Sequence, residues 1–164
     1  MDIHNINKIK ELHPKIRKEV YNLIEHINTK ILFGKAKVRI TDVYRSFEEQ
    51  DKLYAKGRTE SGDKETDAKA GYSFHNYGLA FDFCLLLTDN NTISWDINKD
   101  FDNDKKADWL EVVNVFKTSG WLWGGDWSKP DYPHLQKIFN YNIEKLLNKY
   151  RSADFIKGTK YLNI

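Results

Sequence analysis

The stretch that most limits how this chain can fold is Ser73-Phe74-His75-Asn76-Tyr77-Gly78-Leu79-Ala80-Phe81-Asp82 and the apolar run that continues it. From Gly78 the residues Gly-Leu-Ala-Phe-Asp-Phe-Cys-Leu-Leu-Leu are apolar, proline-free and bounded by Asn76 before and Thr88-Asp89-Asn90 after. That pattern reads as a buried strand. An ionised carboxylate in the middle of such a strand is costly to bury without pairing or coordination, so Asp82 needs a cation. His75, in a polar turn just ahead of the strand, is placed to supply a second ligand. Gly78 and the aromatic residues argue against a helix joining the two. On this stretch alone, a core histidine bonded to a structural aspartate and a metal site are equal readings.

A second segment, Trp123-Gly124-Gly125-Asp126-Trp127-Ser128-Lys129-Pro130-Asp131-Tyr132-Pro133-His134-Leu135-Gln136, shifts the balance. Its two prolines exclude a helix interior, so the segment is extended or turned. It adds His134, three residues after Asp131. Two histidines and one carboxylate suit a catalytic zinc that keeps one position for water. His75, Asp82 and His134 are that set, and Asp131 would stand beside the metal as a spare carboxylate.

These two motifs, Ser-x-His-x-x-Gly-x-Ala-x-Asp and a downstream acid-x-x-His, resemble the zinc peptidases that cut peptidoglycan stem peptides. That group includes the D-Ala-D-Ala carboxypeptidases and dipeptidases, and the hedgehog signalling domain shares its fold. Ser-Phe-His-Asn-Tyr-Gly-Leu-Ala and Trp-Gly-Gly-Asp-Trp, with Asp131 as the acid, look most like the L-alanyl-D-glutamate endopeptidases of phage endolysins and bacilli. The resemblance covers about residues 40–140. It implies an α+β fold, with a small central antiparallel sheet carrying the zinc site and helices flanking it.

The resemblance also assigns roles. Asp131 would take the proton of the metal's water and pass it to the leaving amine. Arg45, before a helix carrying Gln50 and Leu53, would hold substrate oxygens with its planar fork. Ser73 and Gln50 would bind substrate, and Trp127 and Tyr132 would line the cleft. Asp126 suits either support of a metal histidine or a turn cap. Cleavage between L-Ala and D-Glu is the favoured reaction, with a D,D- or L,D-carboxypeptidase as the alternative. A zinc-bearing binding domain without turnover, as in the hedgehog branch, is the reading of another class. A pure binder has no need of Asp131.

The rest of the chain is read as a frame for that site. At 164 residues it is expected to be one domain, with N-terminal helices over 5–32, a core over 36–140 and a C-terminal helix and tail over 140–164. Ile16, Val20, Leu23, Ile24 and Ile27 follow helical spacing, and Pro14 suits a first turn, so a short helix precedes it and a longer one follows. His13 and His26 read as helix-surface or cap residues, and His4 as frayed. Lys37 to Tyr44 alternates as a strand, and Ser46 with Glu49 forms a capping box for the next helix. Arg58 to Gly71 is polar loop. The tail from Arg151 is expected to dock on the body.

Asp100, Asp102, Asp104, Asp108 and Glu111 occupy positions 1, 3, 5, 9 and 12 of an EF-hand-like loop, which makes Ca2+ a possible second ion. Lys105 stands where the sharp-turn glycine belongs. The alternative is a solvated acidic loop capping a helix from Lys105 to about Ser119. Cys84 is the only cysteine, so no internal disulfide forms, and a buried inert thiol is expected.

The 26 basic and 24 acidic residues are interspersed and leave a net charge of +2, which gives no footprint for nucleic acid. No apolar run approaches membrane-spanning length. The N-terminus lacks a basic start followed by an apolar core, so no signal peptide is expected. The expectation is a monomer, cytoplasmic as synthesised, whose partner is peptidoglycan and which reaches the wall after release or holin-type export.

Overall fold

A computed structural model describes residues 1–88 and 92–164; the turn expected at Thr88-Asp89-Asn90 lies in part outside the described residues. The N-terminal periodicity folds as α1 (Ile3–Lys10) and α2 (Pro14–His26). Asp2 caps α1 by accepting from the Asn5 backbone N–H, and Pro14 opens α2, where a missing N–H costs nothing. Ile16, Val20 and Ile24 turn one face of α2 into the core. A π-helical turn, Ile27–Ile31, leads out of it.

These helices cover the free edge of β1 (Ala36–Asp42), an end strand of the sheet. Asn5 donates to the Val38 carbonyl and accepts from the Ile40 N–H, and Asn28 accepts from the Val38 N–H. His4 Nε2 lies 2.7 Å from the Ile40 carbonyl. The expectation of a frayed His4 is therefore corrected, because it helps close the edge. Side chains satisfy the backbone groups that a further strand would otherwise take.

The apolar run is β2 (Ala80–Leu87), the centre of an antiparallel sheet with five strands among the described residues. It pairs with β1 on one side. On the other it pairs with β5 (His134–Gln136) through its first half and β3 (Ile93–Ser94) through its second. Beyond β5 lies β4 (Leu122–Trp123). Phe81 meets Phe116 and Trp121 edge-to-face at 5.3 and 5.4 Å, which seats α4 (Asp108–Thr118) against the sheet. That helix starts three residues later than expected, because Lys105 holds a left-handed φ of 74° that no helix start accepts.

The expected capping box is present in α3 (Phe47–Ala55). At the C-terminus, α5 (Ile143–Arg151) is followed by a tail that docks, with Tyr161 and Leu162 buried. His13 caps α2 as expected, but it is buried and its Nε2 lies 2.8 Å from the Leu162 carbonyl. His26 is exposed. Helices flanking a small antiparallel sheet are the expected α+β arrangement, and no helix among the described residues is long and apolar enough to cross a membrane.

Candidate active site

Sheet register assembles the first part of the site. Asp82 on β2 sits opposite His134 on β5, and on its other side opposite Asp42, just past an irregularity in β1. His75 comes from the turn expected ahead of the strand, a 3-10 turn over Phe74–Tyr77. Ser73 and Asn76 cap that turn reciprocally. Gly78, at φ 66°, then bends the chain into β2, where a side chain would meet the His13 backbone.

His75 Nδ1 lies 2.5 Å from the Val43 carbonyl, which can only accept, so the ring proton is there. His134 Nε2 lies 3.0 Å from Gln136 Oε1, which places its proton on that side. The remaining nitrogens, His75 Nε2 and His134 Nδ1, face each other at 3.1 Å with lone pairs. Asp82 Oδ1 stands 3.3 and 3.2 Å from them, buried and without a hydrogen-bond partner. Ligands of a tetrahedral zinc stand about 3.4 Å apart, so this triangle of lone pairs fits the ion. Burial opposes ionisation of Asp82, and where the facing His75 and His134 nitrogens carry protons those rings outweigh it and hold the carboxyl below its usual range. Among the described residues, His75, Asp82 and His134 thus form a possible metal site.

Asp131 stands on the segment that precedes β5. Its N–H donates to the Gly124 carbonyl at 3.0 Å, and its carbonyl accepts from the His134 N–H at 3.2 Å. One face of Asp131 opens to solvent. Partial burial against the site, reinforced by the Asp82 charge, raises its carboxyl pKa. A more basic carboxylate at the rim of a metal site suits proton transfer.

The site floors a cleft of about 800 Å³, with Arg45, Ser73 and Trp127 in its walls beside the Lys64 to Ala68 loop. The Trp127 ring lies 5.1 Å from that of His134. Ser73 Oγ accepts from the His75 N–H, so that hydroxyl serves the turn as well as the cleft. Tyr132 lies outside the cleft walls, with its ring 5.9 Å from that of Trp123. Gln50 is fully buried and stands behind the cleft wall, bonded to Arg45 and Ala68. Asp126 pairs with Lys117 at 2.6 Å and supports neither histidine. Val43 and Gln136 do that, and the sequence reading missed both. Gln136, two residues beyond His134 on one strand face, carried a readable signal.

Of the five acids in the EF-hand-like loop, Asp100, Asp102 and Asp108 bring ligand oxygens within 4.8 Å of one another. Asp108 is fully buried with one oxygen unpartnered, and burial followed by the neighbouring acids raises its pKa. Asp104 and Glu111 instead face the Lys106 ammonium at 2.7 and 3.6 Å. Cys84 is buried on β2, and burial pushes its thiol up to about 11, which leaves it inert.

Residues 66–137 match the family described as D-alanyl-D-alanine carboxypeptidase. Over 104 residues the chain is 53% identical to the peptidoglycan L-alanyl-D-glutamate endopeptidase CwlK of Bacillus subtilis, a stretch that is 63% of this chain and 62% of that protein. The chain thus spans less than two thirds of that relative's length. Its fold is similar to the crystal structure of the Serratia marcescens L-Ala D-Glu endopeptidase ChiX, with a TM-score of 0.54, 19% identity, and coverage of 85% of this chain and 90% of that one. The segment that carries His75, Asp82, Asp131 and His134 is thus similar to the D-alanyl-D-alanine carboxypeptidase family, in a fold like that of ChiX.

Proposed function

We propose that the protein is a zinc metallopeptidase that hydrolyses the L-Ala–D-Glu bond of peptidoglycan stem peptides. The observation that carries this reading is the triangle of His75 Nε2, Asp82 Oδ1 and His134 Nδ1 on the cleft floor, with Asp131 beside it and Arg45 in the wall. Zinc held there would supply Lewis-acid polarisation of a carbonyl and a water acidified towards neutral pH. Asp131 takes a proton from water and returns it to the leaving amine. Arg45 donates to a substrate oxygen as negative charge gathers on it. The choice of bond is supported by the likeness to CwlK. The reading places the protein's action at the cell wall, reached by release or holin-type export.

Mass analysis of purified peptidoglycan after digestion tests the proposal. New N-termini at D-Glu, with L-Ala left on the muramyl side, are the expected products. Release of free D-Ala alone would establish the carboxypeptidase reading that the family description favours. Zinc binding with no product of either kind would leave the non-catalytic binding domain.

A further inference from the structure

Gln50 is polar, uncharged and fully buried, and both ends of its amide are engaged. Gln50 Oε1 accepts from Arg45 Nη1 at 2.9 Å. Its Nε2 donates to the Ala68 carbonyl at 2.7 Å and lies 3.4 Å from Thr66 Oγ1. Thr66 and Ala68 belong to the cleft wall, as Arg45 does. Arg45 Nη2 is paired with the Asp42 carboxylate. The Arg45 main chain is pinned as well, its N–H to the His75 carbonyl at 3.1 Å and its carbonyl by Asn76 Nδ2 at 2.8 Å.

A side chain at this point must accept on one end and donate on the other. Glutamate lacks the donor, lysine the acceptor, and methionine both. Burying a primary amide for packing alone would bring a desolvation cost that an apolar residue of the same shape avoids. The amide is therefore explained by what it holds. A guanidinium has five N–H groups in a rigid plane, so fixing one through Asp42 and one through Gln50 sets where the others point.

We infer that Gln50 is a positioning residue: it aims the remaining N–H groups of Arg45 into the cleft and ties that aim to the Thr66–Ala68 wall. The inference rests on the proposed role of Arg45 toward a substrate oxygen. It differs from direct substrate binding by Gln50, because the amide has no open face to the cleft.

The test combines kinetics with guanidinium NMR on the zinc-loaded chain. On a stem peptide containing L-Ala–D-Glu, Gln50→Met should lower kcat/KM about tenfold, the scale of a hydrogen bond to a charged group, with zinc content unchanged. In an Arg45→Ala background the same change should cost less than about twofold, because the partner it positions is gone. An equal loss in both backgrounds would mean packing alone and overturn the inference. By NMR, blocked rotation should give separate Arg45 Nη signals in the wild type that merge in Gln50→Met; unchanged signals would also overturn it. Gln50→Glu keeps the acceptor for Arg45 and should keep the signals separate, which guards against a poorly folded methionine variant. A wild type that leaves the L-Ala–D-Glu bond intact would sink the proposed function, and the NMR comparison would still decide whether Gln50 positions Arg45.

Discussion

The indole of Trp109 stacks on the ring of Phe83 at 4.4 Å with 29° between the planes. Phe83 adjoins Asp82 on β2, and Trp109 lies in the first turn of α4 between Asp108 and Glu111. The acidic loop is thus fastened to the strand that carries a metal-ligand candidate.

That loop should bind calcium weakly, no better than roughly 10⁻⁴ M. Lys106 sets the limit. Lys106 neutralises Asp104 and Glu111, and a divalent ion must displace it from them. Lys105 already holds the left-handed turn at φ 74°. Lys106→Ala should therefore tighten calcium binding by about tenfold or more. Lys105→Gly should raise thermal stability with little change in affinity, since strain is relieved with or without the ion. Calorimetric titration checks both. Micromolar binding by the wild type would show that Lys106 has been given too much weight.

One zinc should be bound per chain. Removing it with a chelator should lower the melting temperature on the order of ten degrees, given the mass-action stabilisation of a tight ligand on a chain of this size. His75→Ala should lose the metal. Metal analysis of protein purified without chelators is the measurement; a content near zero in the wild type would remove the site.

Asp131→Asn should keep zinc and fold while hydrolysis falls by at least about a hundredfold, the usual scale for losing a general base. The asparagine is nearly isosteric, so the backbone links to Gly124 and His134 survive the change. Wild-type turnover in this variant would move the proton-transfer role elsewhere.

Gly124 has no room for a side chain, because an added Cβ would overlap the Asp131 carbonyl and crowd the Cβ atoms of Asp131 and His134 at 3.1 Å. Gly124→Ala should therefore displace both residues, cost about 1–3 kcal/mol of stability and weaken zinc binding. A melt and a metal assay on the variant are sufficient; an alanine protein with full zinc and full activity would contradict the packing.

Much of the frame was legible because the relevant physics is local. Pro14 and the spacing of Ile16, Val20 and Ile24 mark α2 wherever the helix later packs, and Ser46 with Glu49 marks the start of α3. His4 was not legible as an edge cap. Its partner is the Ile40 carbonyl on a strand 36 positions away, and no local pattern encodes that meeting. The pairing of Lys106 was likewise not legible, because a side chain's choice among several nearby acids depends on the backbone turn at Asn103 and Lys105.

By itself the sequence determined which residues can bind a metal and that Asp82 needs a cation, since an acid in an apolar strand is unfavourable in any fold that buries it. It also determined the central strand, the helix caps and the two motifs of the site. Only the tertiary structure decided which nitrogen of each histidine is free, because that follows from Val43 and Gln136 taking the other ring protons. Strand register alone set His134 beside Asp82, and long-range packing placed Gln50 behind Arg45 and turned Tyr132 away from the cleft. Ligand identity is a property of residue chemistry, whereas ligand direction is fixed by contacts between residues far apart in the chain.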